Sequence, residues 1–131
     1  MSSRPIGSFV ENVTHGSHIL NMDPMMFLYE LMKNNKKYYF QIFLNNYKGN
    51  MNERIYGGNT IIMFSYDKPY YFNLLLERHD IDVNLQNNRG ETLLMMIKNI
   101  DILTVKLFFK FQIDMDTQDN NGDTALIRSV K

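Results

Sequence analysis

Gly90-Glu91-Thr92-Leu93-Leu94 decides the fold, because its pattern occurs twice more at a fixed offset. Gly58-Asn59-Thr60-Ile61-Ile62 stands 32 residues upstream, and Gly122-Asp123-Thr124-Ala125-Leu126 stands 32 downstream. The same offset aligns Asn50-Met51-Asn52 with Asp82-Val83-Asn84 and Asp114-Met115-Asp116. It also aligns Gln86 with Gln118, Asn88 with Asn120, and Ile81 with Ile113. A fixed period of this length marks an array of stacked units, none of which buries its apolar face alone.

The chain has 131 residues, the size of one domain. Fourteen basic and 14 acidic residues cancel, which argues against a nucleic-acid binder, whose affinity rests on neutralised phosphates. There is no cysteine, so disulfides and thiolate zinc sites are excluded. The first residues, Met1-Ser2-Ser3-Arg4-Pro5, form no apolar leader, and no apolar run approaches a bilayer span. These features predict a soluble intracellular protein, cytoplasmic or nuclear, without membrane contact.

Taken in order, residues 1–22 read as a flexible arm rich in Gly, Ser, Asn and Thr. Within it, Asn12-Val13-Thr14 fits a glycosylation acceptor by chance, and His15 and His18 lack a third ligand for a metal. Residues 23–49 read as a helix pair. Asp23 caps it, Pro24 takes the first helical position, and Asn34-Asn35 breaks between the two runs. Residues 50–81 and 82–113 each read as a polar turn followed by two short helices, Thr60 to Tyr66 with Tyr70 to Glu77, then Thr92 to Lys98 with Ile102 to Lys110. Asn99 to Asp101 form the second break, with Asp101 as an N-cap. Residues 114–131 hold a turn and one helix, Thr124 to Val130.

With those segments in place, the chain resembles the ankyrin repeat family, whose units run turn, Gly-x-Thr-Pro-Leu-His, helix, loop, helix and Ala-Asp-Val-Asn. The resemblance covers residues 50–131 well and 23–49 weakly, the latter at the position of a degenerate capping repeat. It implies an all-α solenoid of stacked helix-turn-helix units. Gly58, Gly90 and Gly122 would sit where positive φ or close backbone approach is needed. Thr60, Thr92 and Thr124 would cap the inner helices, and Leu94, Leu107 and Phe108 would fill the interfaces between units. The chain departs from the family at the Pro (Ile61, Leu93, Ala125), at the His (Met63, Met95, Ile127) and at two small inner-helix positions (Ser65, Ile97). Its period is one residue short.

Other motifs are explained by packing. Asp114, Asp116, Asp119, Asn121 and Gly122 fail as a calcium loop, because Thr117 and Arg128 would fall where Asp and Glu are required. No phosphate loop, His-Glu-x-x-His or nucleophile elbow occurs, and no catalytic, cofactor or metal residue is assigned. Tyr38-Tyr39-Phe40 and Tyr70-Tyr71-Phe72 read as core at helical spacing, and His79 as the close of an outer helix.

The resemblance implies a non-catalytic protein–protein interaction module, using the turn tips and the concave inner-helix face to bind another protein. Short divergent arrays of this kind include viral and parasite proteins that engage host factors. The family's variable binding positions fall here on Arg54, Tyr56, Asn59 and Asp67. In the next unit they fall on Gln86, Asn88, Arg89, Glu91 and Asn99, and in the last on Gln118, Asn120, Asn121 and Asp123. Tyr56 and Arg89 are the expected anchors, since binding energy concentrates in aromatic and arginine side chains. Leu126, Ile127 and Val130 would lack the helix that covers their equivalents. The alternative readings are a truncated fragment of a longer array, or a self-associating chain that forms a homodimer through this C-terminal edge.

Overall fold

The computed structural model describes residues 22–98, 105, 107 and 109–131. Every regular element among them is helical, and no helix is long and apolar enough to cross a membrane. The chain divides into two compact units, Met1–Tyr47 and Lys48–Lys131. The arm at residues 1–21, the break at Asn99 to Asp101 and the interface position Phe108 lie outside the described residues.

The first unit is a helix pair, α1 (Pro24–Lys33) and α2 (Lys37–Asn46). Asp23 Oδ1 accepts from the Met25 N–H at 2.9 Å, and Pro24 takes the first position, where its missing N–H costs nothing. Asn35 adopts φ 55°, and the Lys36 N–H donates back to Leu31 O at 2.8 Å, reversing the chain. Asparagine tolerates this left-handed conformation better than most residues. Leu28, Leu31, Met32, Phe40 and Leu44 are buried, and Phe27 meets Phe43 edge-on at 5.5 Å. Each such side chain contributes about 1.5–3 kcal/mol on burial. Tyr38 is a correction to the sequence reading: it is 70% exposed, while its neighbour Phe40 is fully buried.

The second unit contains α3 (Ile61–Phe64), α4 (Pro69–Leu76), α5 (Leu93–Met96) and α6 (Ala125–Ser129). Residues 105, 107, 109 and 110 are helical where described. The short helices begin one residue later than expected, because Thr60, Thr92 and Thr124 are extended N-cap residues with ψ 167°, 167° and 172°. Thr92 and Thr124 hydroxyls accept from Met95 N–H and Ile127 N–H at 3.4 and 3.3 Å. Thr60 departs from the expected cap: its hydroxyl oxygen is buried with no hydrogen-bond partner among the described residues. Ser65 is fully buried and donates to Ile62 O at 2.8 Å, so a small residue there serves packing. Leu107 is buried, and Leu94 is half-buried. Helix α4 ends at Leu76, so His79 lies beyond it; Lys110 Nζ donates to the Leu76 carbonyl instead, placing a cation at that helix end.

Candidate functional site

The turns preceding α3, α5 and α6 are built alike. Ile55, Asn87 and Asp119 each donate their N–H to the backbone oxygen four residues on (Asn59, Glu91 and Asp123), at 2.8–2.9 Å. Gly58, Gly90 and Gly122 follow at φ 73°, 75° and 82°, a conformation that other L-residues adopt only with strain. Asn87 Oδ1 accepts from the N–H groups of Arg89 and Glu91, and Asp119 Oδ1 accepts from those of Asn121 and Asp123, all at 2.9 Å. These side chains lock the tips from inside.

Bonds between successive turns repeat on the 32-residue offset. Gly57 O accepts from the Asn88 N–H, and Arg89 O accepts from the Asn120 N–H, at 3.1 and 3.0 Å. Arg54 Nε donates to Gln86 O, and Gln86 Nε2 donates to Gln118 O, at 3.1 and 2.9 Å across 32 residues in each case. At the opposite end of the turns, Asn52 donates to Asp80 O and accepts from the Asp82 N–H, both at 2.8 Å. Asn84 does the same with Gln112 O and the Asp114 N–H, at 2.7 and 2.8 Å. An amide is required there, because one side chain must both donate and accept. The sequence alignment of Asn52 with Asn84 was the available signal for this clamp, but a recurring Asn also suits a simple turn.

These bonds divide the thirteen positions singled out from the sequence. Arg54, Gln86 and Asn120 are committed to neighbouring turns, Asn120 through Nδ2 to Asn88 O at 2.9 Å. Asn59, Glu91 and Asp123 belong to a polar network. Asn87 Nδ2 lies 2.9 Å from both Asn59 Oδ1 and Glu91 Oε1, and Arg128 bridges Glu91 (2.8 Å) and Asp119 (3.3 Å). Lys131 pairs with Asp123 at 2.6 Å, and Asp67 pairs with Lys68 at 3.1 Å. Asn88, Arg89, Gln118 and Asn121 carry exposed side chains with no hydrogen bond to other described residues, and Tyr56 is 45% exposed. Tyr56, Asn88 and Asn120 occupy one register of the three tips, while Arg89 and Asn121 share the next. Asn99 lies outside the described residues.

The electrostatics follow from the network. Glu91 is held below its ordinary 4.5, first by the Asn87 hydrogen bond and then by Arg128. Asp119 is held below its ordinary value chiefly by the Asp123 N–H. Elsewhere, His79, Asp80, Asp82 and Asn84 line a shallow crevice of about 330 Å³ with Phe111 and Gln112. Its Asp80 is paired with Arg78 at 2.7 Å and held low by it. No group of three His, Asp or Glu side chains able to hold a metal occurs among the described residues. No protein-family model matches the sequence, and no curated protein matches it either.

Proposed function

We propose that the chain is a divergent ankyrin-repeat protein, intracellular and non-catalytic, that binds another protein along its turn tips. One observation carries this reading: inter-turn hydrogen bonds recur on the same 32-residue offset as the Gly-x-Thr segments. Such bonding aligns the tips in a row and fixes their backbone before a partner arrives, which lowers the ordering cost of binding. The inner network consumes Asn59, Glu91 and Asp123, so the recognition surface narrows from the whole concave face to Tyr56, Asn88, Arg89, Gln118 and Asn121. Tyr56 and Arg89 are its anchors.

The test begins with a partner captured on the full chain and purified. Its affinity is measured against Tyr56→Ala/Arg89→Ala and against the control Glu77→Ala, an exposed residue just past α4. The expected result is about thirty-fold weakening or more for the double variant, equivalent to roughly 2 kcal/mol, and no change for the control. Full affinity in the double variant rejects the tip surface.

A further inference from the structure

We propose that the turn joining α1 and α2 binds single-stranded nucleic acid, with a base stacked on Tyr38 and phosphates met by Lys33, Lys36 and Lys37. The proposal concerns the first unit alone and stands apart from the tip-binding reading. The balance of 14 basic and 14 acidic residues over the whole chain conceals a local bias, because residues 31–47 carry three lysines and no aspartate or glutamate. All three lysines are exposed. The nearest acid in sequence, Glu30, is half-buried and accepts from Asn34 Nδ2 at 3.4 Å. Lys36 and Lys37 stand at the start of α2, whose first turn holds no acidic residue and whose N-cap makes no side-chain hydrogen bond. Cations there oppose the helix dipole, so the stability of α2 gives no reason for them, whereas an anionic partner does.

Tyr38 decides the class of anion. It is the one large apolar side chain exposed among the described residues of the first unit, at 70%, and its ring meets Tyr39 edge-on at 5.4 Å. An exposed aromatic ring beside a run of lysines suits unpaired bases, which stack on the ring while the cations follow their backbone. Gln41 and Asn45 follow Tyr38 at i+3 and i+7, both exposed, and offer amides to base edges from the same side of α2. A lipid surface asks instead for several exposed apolar side chains on one helix face. A duplex keeps its base faces stacked internally, out of reach of Tyr38.

The test is fluorescence anisotropy of a labelled oligothymidine of about 15 nucleotides, titrated with the full chain. Over about 20 to 200 mM salt, the logarithm of the association constant should fall against log salt with a slope of about −2, as three phosphate contacts on a single strand require. Lys33→Gln/Lys36→Gln should reduce that slope to about −0.7. Tyr38→Ala should weaken binding about five-fold or more with the slope unchanged, and Tyr38→Phe should restore it. All these positions are exposed, and circular dichroism checks that the variants keep the fold. No anisotropy change at the lowest salt overturns the proposal. So does full affinity in Tyr38→Ala or in the double lysine variant. Equal binding to a duplex, to polyglutamate or to phosphatidylserine vesicles also overturns it, since the patch would then be a general cationic surface.

Discussion

The turns at Gly90 and Gly122 have nearly the same backbone, φ 75° and 82°, yet they stand in different surroundings. A Cβ on Gly90 would lie 2.7 Å from Asn120 N and 3.0 Å from Asp119 C, whereas a Cβ on Gly122 would meet nothing within 4 Å. The first glycine thus serves both a left-handed conformation and the close approach of the next turn; the second serves only the conformation. The same contrast runs through the apolar positions, with Met95 8% exposed and its equivalent Ile127 40%, and Val83 5% against 53% for Met115. A repeated sequence therefore specifies its own turn, but its burial comes from its neighbour.

Met95→Ala and Ile127→Ala sharpen this contrast most. The first should cost about 3 kcal/mol by urea unfolding and the second less than about 1 kcal/mol, since only the first leaves a cavity. Gly90→Ala should cost about 2 to 3 kcal/mol against about 1 kcal/mol for Gly122→Ala, where only the backbone strain applies. Equal losses at the two glycines would break the comparison. Asn84→Ala should cost about 1 to 2 kcal/mol, because it orphans the Asp114 N–H and Gln112 O together, while Asp116→Ala should be near neutral.

Smaller effects come from single polar groups. Thr60→Val should raise stability by about 1 kcal/mol, as it removes a buried hydroxyl without a partner, whereas Thr92→Val should lower it slightly. Glu91 titrates low in the folded chain, so its contribution is present above its ordinary value of 4.5 and is lost as pH falls through the folded value. Thermal melts should accordingly fall with acidification below about pH 4.5. Glu91→Gln should flatten that slope. An unchanged slope in the variant would place the acid sensitivity elsewhere.

Much of the fold was legible in the sequence because its causes are local. Asp23-Pro24 announces a helix start wherever it stands, and the Gly-x-Thr period reports the turn conformation directly. What was illegible depends on neighbours far along the chain. Tyr38 fits a helical apolar pattern, but spacing does not reveal whether another element covers that side of the helix. Asn52 and Asn84 could be aligned but not recognised as clamps, because their partners lie 28 and 30 residues away. The candidate site was overdrawn for the same reason. Asn59, Glu91 and Asp123 look like free polar tips in a linear string, yet they are tied into the network around Asn87, Arg128 and Lys131.

The central claim is that successive turns are joined by hydrogen bonds repeating every 32 residues, and native-state amide hydrogen exchange tests it most directly. The N–H groups of Asp82 and Asp114 bond to Asn side chains of the preceding turn, and those of Asn88 and Asn120 bond to its backbone oxygens. The account predicts that all four are protected although their residues are largely exposed, with paired residues slowed to similar degrees and Asp114 released by Asn84→Ala. Exchange of these four amides at the rates of an unstructured chain would contradict it.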